Sequence, residues 1–422
     1  MAQAIEGRPI GRAGIDTHSF SDLWRLRIVS GWLFLLLVTM GLFALSWDIQ
    51  WHTAVGRDRT LTAPHLFILA SITLMGLLAL LVVLIETRWA RRNPALARGG
   101  TSFAGFFSSS MGAYLVGYGA LDTAIAFPID QYWHTLYGID VAIWAPFHIM
   151  VITGFCISAL GVAHMLAEGA NMATGQDAKW PARVGYSGVI IALAVLMGFL
   201  SILLPDALED SSFLVLGNLA LTVFPLMFGA FGMLVLIAAL RALPWRAVAT
   251  CVAVVYAVIG LINFPLIPPL MTWLLGIEQQ ALRPRAPMIS ALGFRWQYGL
   301  VIAAILLDLG VWIARRKGWS LKRSNLFLLG IGALGMSAAA LLFPAFLSSV
   351  QEYGGVFVHI VNENGKIVPQ IPPVQAGSIA QPNVVLTLAL SLLLGLAGVY
   401  IGNWFGTSAG NSMRKRSEQE NV

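Results

Sequence analysis

Charged residues are scarce in this sequence, and their scarcity excludes an ordinary soluble protein. Only 11% of the 422 residues are Asp, Glu, Lys or Arg, whereas 58% are hydrophobic. Soluble domains usually contain about 25% charged residues. The composition therefore predicts an integral membrane protein that contacts the lipid bilayer. Basic anchoring loops explain its net charge of +6, and we expect no nucleic-acid partner.

Cysteine is also scarce. The two cysteines, Cys156 and Cys251, both lie in apolar runs, so the sequence predicts neither a disulfide framework nor a CxxC metal site. The first 24 residues are polar and lack the apolar core of a secretion signal. We therefore expect no cleavable signal peptide.

Long apolar runs, in contrast, recur along the whole chain. A helix needs about 20 apolar residues to cross the roughly 30 Å hydrocarbon core of a bilayer. The sequence predicts an all-α, polytopic membrane helical bundle of about ten transmembrane helices, placed at 25–47, 64–88, 103–127, 142–166, 185–204, 213–240, 247–272, 298–315, 325–349 and 383–405. Near 353–372, β-branched residues flank an Asn-Gly pair, which predicts a small external β-hairpin.

Basic residues indicate the orientation of these helices. Arg and Lys concentrate before the first helix, after the second, fourth, sixth and eighth helices, and at the chain end. Cytoplasmic loops of membrane proteins carry this excess. We expect a multi-pass protein of the bacterial inner membrane with both termini in the cytoplasm.

One polar pattern occurs twice in this apolar background. The first copy contains Asp48, His52 and His65, and the second contains Asp130, His134 and His148. The spacings agree except that Phe147 lengthens the second copy by one residue before its last histidine. The chain has only seven histidines, and four of them lie in these copies. Both copies are expected on the periplasmic side of the membrane.

The two copies contain the ligand types of a metal site. Asp48 and His52, four residues apart, share one face of a helical turn. His65 and His148 follow a proline, which is typical of the first turn of a helix. A carboxylate and two imidazoles can therefore converge with positions left open. Ligand type alone is compatible with zinc, iron(II) or copper.

Other residues near the motifs have candidate roles. Asp58 and Asp140 follow the first histidine of each copy and are candidates to hold the outer nitrogen of a ligand imidazole. Asp122 lies two helical turns before Asp130, and an ionisable residue within a membrane helix is a functional candidate by default. Trp51 and Trp133 are of the type found in the interfacial belt.

The first motif, with Trp51, Arg57, Asp58 and Pro64, resembles the C subunit of particulate methane monooxygenase and ammonia monooxygenase. That subunit carries a D-x-x-W-H…R-D…T-P-x-H pattern. The second motif, ending Trp144-Ala-Pro-Phe-His148, is similar to a second site of the same subunit. The resemblance covers about residues 25–170. It implies one copper at Asp48, His52 and His65, and another at Asp130, His134 and His148, with Asp130 standing where the family has Asn.

The resemblance implies a copper-dependent membrane monooxygenase that activates dioxygen and oxidises a small apolar substrate. A quinol is the expected electron donor, and other membrane subunits are expected partners. The alternative is a non-catalytic copper-binding or metal-transport membrane protein, which needs a path of ligands across the membrane. A third hypothesis is an accessory subunit whose metal sites are structural.

The two motifs divide the chain into two expected regions. Residues 1–180 contain four predicted helices and both motifs. Residues 181–422 contain six predicted helices, no copy of the motif and no assigned role. The polar segment 168–184 is the predicted boundary between them.

Overall fold

The computed structural model describes residues 19–55, 61–137, 143–204, 213–216, 219–279, 296–341, 359–361, 367–369 and 384–419. Within these ranges the chain is mostly helical. The helices are α1 Phe20–Ala54, α2 Ala63–Arg92, α3 Pro94–Ala97, α4 Met111–Tyr137, α5 Pro146–Gly175, α6 Lys179–Ile202, α7 Phe224–Ala242, α8 Val248–Ile277, α9 Trp296–Arg316, α10 Leu321–Leu341 and α11 Val384–Gln419.

Three short antiparallel hairpins complete the described part of the chain. Strands β1 Thr101–Phe103 and β2 Phe107–Ser109 form the first, and β3 Phe213–Leu216 and β4 Leu219–Thr222 form the second. The third pairs β5 His359–Val361 with β6 Ile367–Pro369. It lies inside the hairpin predicted at 353–372. The Asn-Gly pair between its strands lies outside the described residues.

Membrane-spanning helices are confirmed, although their predicted number is not. Eight described helices are long and apolar enough to cross a membrane, namely α1, α2, α5, α6, α7, α8, α9 and α11. The third and sixth predicted helices begin too early in the sequence. Residues 101–109 form a hairpin whose turn contains Gly105 at φ +76°, and α7 begins at Phe224, where Pro225 occupies the first turn. Proline favours that position because its missing N–H has no helical acceptor there.

Two polar clusters show which helix ends lie together. Arg27 near the start of α1 contacts Glu86 near the end of α2 and Glu168 near the end of α5. We call this the proximal end of the bundle. Asp48 near the end of α1 contacts His65 at the start of α2, and we call that the distal end. Arg27 and Asp48 are separated by about 31 Å along α1 at 1.5 Å per residue.

Glycines allow α4 and α5 to pack in close contact. A side chain on Gly112 would lie 2.5 Å from the Gly161 carbonyl oxygen, and one on Gly161 would lie 2.8 Å from that of Gly112. Gly119 and Gly154 face each other in the same way, further towards the distal end. Small residues at such spacings let membrane helices approach each other. This contact fixes the relative position of the two helices that carry the second motif.

The predicted boundary at 168–184 lies mostly within helices. Helix α5 continues to Gly175 and α6 begins at Lys179. The intervening turn includes Asp177 at φ +56°. Gly185 on α6 packs against Ala170 on α5, so the two helices form a tight pair across this segment.

Arg27 is buried, although the sequence pattern groups it with the anchoring residues outside the membrane. Its guanidinium donates to both oxygens of Glu86, at 3.0 and 2.9 Å, and lies 3.4 Å from Glu168. All three side chains are at most 3% exposed. The cluster joins α1, α2 and α5 at the proximal end.

We expect replacement of Arg27 by Met to destabilise the bundle strongly. Removal of one partner from a buried ion pair costs about 3–5 kcal/mol, because the remaining charge is buried without compensation. Here two carboxylates would remain. The measurement is thermal unfolding of detergent-purified protein, with Arg25→Met as the matched control because Arg25 is exposed. Equal melting temperatures for the two variants would contradict a stabilising role for the cluster.

Candidate metal centre

The first motif forms a compact group at the distal end. Helix α1 continues beyond its predicted end at residue 47, so Asp48 and His52 lie on consecutive turns of one helix. His52 Nε2 lies 3.5 Å from Asp48 Oδ2, and His65 Nε2 lies 3.1 Å from Asp48 Oδ1. All three residues are buried. The carboxylate therefore faces two imidazole nitrogens, one from its own helix and one from α2.

The second motif repeats this geometry on α4 and α5. Helix α4 also continues beyond its predicted end, at residue 127, and carries Asp130 and His134. His134 Nε2 lies 3.2 Å from Asp130 Oδ2, and His148 Nε2 lies 3.5 Å from Asp130 Oδ1. The histidine rings of each group are inclined at 48°, with centroids 6.0 Å apart in the first and 5.8 Å in the second.

The extra residue Phe147 does not disturb the repeat, because the two receiving helices begin at different points. Helix α2 begins at Ala63, one residue before Pro64, whereas α5 begins at Pro146 itself. His65 and His148 are consequently both the third residue of their helices. The structure confirms the prediction that each lies in a first helical turn.

Both groups fit a metal ion by their donor atoms. The ligand atoms of each group lie within 4.8 Å of one another. Two donor atoms that bind one first-row metal ion at about 2.0–2.2 Å lie roughly 3–4 Å from each other. The N···O distances in these groups, 3.1–3.5 Å, agree with that separation. Asp48 Oδ1 and Asp130 Oδ1 are buried, and among the described residues no donor meets them in good hydrogen-bond geometry, although a histidine Nε2 lies 3.1 and 3.5 Å away, respectively. A cation between carboxylate and imidazoles would satisfy these oxygens, since buried charge is normally paired or metal-bound.

The two groups line one pocket. The empty space around it, open solvent included, is about 670 Å³, and all six motif side chains border the pocket. The remaining wall is apolar and comes from five helices and the segment before α5. It consists of Leu45, Ile49, Ile68, Phe127, Ile143, Val151, Ile152 and Ile202.

The groups differ in their access to solvent. The histidine side chains of the first group are 9% and 11% exposed. In the second group His134 is 7% exposed, but His148 is 25% exposed and Asp130 19%. The first group is therefore the more enclosed of the two.

Several residues predicted near the site have other positions. Trp51 is not an interfacial anchor: it is 1% exposed and packs with Ile267, Met271 and Leu275 of α8. Helix α8, against which Trp51 packs, contains three prolines and continues to Ile277. Trp133 packs edge-on against Phe147, with ring centroids 5.7 Å apart.

Of the three additional carboxylates, the structure describes Asp122 alone. Asp58 and Asp140 lie outside the described residues, so their proposed contact with ligand imidazoles stays a prediction. Asp122 lies on α4 but belongs to neither ligand group and does not border the pocket.

Phe127 is a wall residue that the sequence pattern did not identify. Its ring meets that of His65 edge-on, with centroids 5.3 Å apart and an interplanar angle of 86°. It lies on α4 three residues before Asp130, and so one helical turn from the second group. The only indication in the sequence was its position three residues before Asp130. Many apolar residues of an amphipathic helix have such a spacing, so it did not distinguish Phe127.

No protein-family model, curated protein or solved structure matches this chain. The resemblance to the monooxygenase subunit therefore rests on the motif residues alone and stays a prediction.

Proposed function

We propose that this chain is a membrane oxidoreductase of the copper monooxygenase type. One copper would be held by Asp48, His52 and His65, and a second by Asp130, His134 and His148. The observation that carries the proposal is that two Asp/His/His groups of matching geometry border one apolar pocket. The choice of copper over zinc or iron rests on the motif resemblance.

The side chains of the pocket have distinct tasks in this proposal. Each aspartate supplies one negative charge, which offsets part of a cation's charge where water is limited. Each histidine supplies a neutral Nε2 donor, and three protein ligands leave coordination positions open. Phe127 restricts the orientation of the His65 ring and closes part of the wall. The aliphatic wall favours a small apolar substrate that enters from the lipid.

Bound copper would supply the capacity to bind dioxygen and to transfer electrons to it. The overall reaction balances with a quinol as reductant: one oxygen atom enters a C–H bond of the substrate and gives an alcohol. The other oxygen atom leaves as water with the two protons and two electrons of the quinol, which becomes a quinone. Partner subunits would deliver that quinol.

The proposed orientation places the pocket near the periplasmic face of a bacterial inner membrane. Arg91, Arg92, Arg315 and Arg316 lie near the ends of α2 and α9. The end of α2 is at the proximal end of the bundle, opposite the pocket. An excess of Arg and Lys favours the cytoplasmic side, so both termini are proposed to be cytoplasmic.

A metal-transport function has less support. A transporter needs successive ligand groups across the membrane. Among the described residues, the groups of three or more potential ligands are the two at the distal end. Copper binding without catalysis is the remaining alternative, and the experiment below separates it from oxidation.

The test uses the full chain purified into lipid nanodiscs, stripped by a chelator and reloaded with copper, zinc or iron(II). We expect copper-loaded protein, supplied with a soluble quinol and short-chain hydrocarbons, to consume dioxygen and form alcohol in equal amounts. Stoichiometric copper binding without oxidation would favour the non-catalytic alternative. Equal activity with zinc, or no bound metal after reloading, would contradict the proposal.

A further inference from the structure

A second pocket lies near the proximal end of the bundle, where α7 ends, α8 begins and α9 ends. Its empty volume is about 1080 Å³ including open solvent, and its wall includes Trp245, Arg246, Trp312, Arg315 and Arg316. Trp245 packs edge-on against Tyr186 at the start of α6, with ring centroids 5.7 Å apart. Because α6 starts where α5 ends, this pocket is at the end opposite the metal groups.

The pocket has a net positive charge. Asp308 is the one carboxylate that lines it. This carboxylate accepts hydrogen bonds from the Thr250 N–H at 2.7 Å and the Thr250 hydroxyl at 2.6 Å, at the start of α8. Within the described part of the chain, no ion pair is found for Arg246, Arg315 or Arg316. The Arg316 guanidinium lies 4.1 Å from the centre of the Trp312 ring. These three arginines are exposed and available to an anion.

An apolar stripe on α9 leads to this basic pocket. Ile302, Ile305, Leu309 and Trp312 are 40–49% exposed and follow one another at intervals of three or four residues, which places them on one helix face. Arg316 continues the same spacing. From residue 302 to 316 the stripe is about 21 Å long at 1.5 Å per residue. One leaflet contributes about 15 Å of hydrocarbon, so the stripe is long enough to lie along an acyl chain.

We propose that the basic pocket binds the phosphate headgroup of an anionic phospholipid, whose acyl chain lies along the α9 stripe. The guanidinium groups supply charge and hydrogen-bond donors for phosphate, and Trp245 and Trp312 have the amphipathic character of residues at headgroup depth. The continuity between pocket and stripe favours a lipid over a free phosphate ion. Basic pockets between membrane helices are suited to such headgroups. This site is independent of the proposed metal chemistry.

The test compares lipid retention by the full chain in detergent. Delipidated protein is mixed with phosphatidylglycerol or phosphatidylcholine, and bound lipids are counted by native mass spectrometry. The pocket variant Arg246→Gln/Arg315→Gln/Arg316→Gln is matched by the control Lys317→Gln/Lys322→Gln/Arg323→Gln, which removes the same charge from neighbouring positions that do not line the pocket. We expect phosphatidylglycerol affinity to fall about a hundredfold in the pocket variant only.

Three results would overturn the proposal. Equal losses in both triple variants would mean non-specific attraction to surface charge. Displacement of phosphatidylglycerol by millimolar inorganic phosphate would mean a free-anion site. Equal retention of phosphatidylcholine and phosphatidylglycerol by the unmodified protein would mean that no anionic headgroup is selected. If the triple variant does not fold, the single variant Arg315→Gln gives the same comparison against Lys322→Gln, with a smaller expected loss.

Discussion

Replacing His65 with Ala is expected to lower the copper content from about two to about one per chain and to abolish substrate oxidation. His65 Nε2 faces Asp48 Oδ1 at 3.1 Å, and its loss leaves the first group with two donors. Changing even an outer partner of a metal ligand costs about 10–100-fold in affinity or activity. We therefore expect the loss of the ligand itself to cost more than about a hundredfold in oxidation rate. The measurements are elemental analysis of purified protein and alcohol formation.

His164→Ala is the matched control for this prediction. His164 is also a buried histidine on a membrane helix, but it lies near the proximal end and its Nε2 is 3.2 Å from the Ser412 hydroxyl. We expect this variant to retain both copper ions and its activity. Equal copper contents for His65→Ala and the unmodified protein would contradict the first site. An equal loss of copper in His164→Ala would show that the loss in His65→Ala comes from impaired folding and not from a missing copper ligand.

The second large effect is expected from Gly154→Ala on α5. The added methyl group would overlap the Thr123 hydroxyl and would lie 2.6 Å from the Gly119 carbonyl oxygen on α4. These atoms belong to buried parts of the helix contact, so the helices would have to separate. Overpacking of this kind costs about 1–3 kcal/mol. Because Asp130 and His134 lie on α4 and His148 on α5, separation should disrupt the second metal group more than the first.

The expected result is a lower melting temperature together with the loss of about one copper per chain. Gly76→Ala is the matched control, since a methyl group on Gly76 of α2 would meet α4 at an ordinary 3.8 Å from Ala120. We expect that variant to keep both copper ions. If Gly154→Ala keeps its second copper and its melting temperature, the close α4–α5 contact does not position the second group.

Local spacing allowed the ligand groups to be predicted from the sequence. A separation of four residues places Asp48 with His52, and Asp130 with His134, on one helix face whatever the helix packs against. A preceding proline likewise favours the first helical turn for His65 and His148. The ends of α1 and α4, predicted at residues 47 and 127, were placed too early. Hydropathy falls at Asp48 and Asp130, but the helices continue, and the turns containing Trp51 and His134 are buried.

The shared pocket could not be predicted, because it depends on contacts between helices. Nothing in the sequence around Asp48 or Asp130 shows that the two groups border the same space, or that Ile202 at the end of α6 closes it. Arg27 illustrates the same limit. Its position before an apolar run is typical of an anchoring residue, and its burial follows from Glu86 and Glu168, which are distant in sequence.

The proposed function requires that two copper ions bind in one pocket. Crystals of the copper-loaded full chain, with diffraction recorded on both sides of the copper absorption edge, would locate both ions. We predict two anomalous peaks, one among Asp48, His52 and His65 and one among Asp130, His134 and His148, each lost below the edge. No peak in the pocket, a single peak elsewhere, or peaks that appear only at the zinc edge would contradict the account.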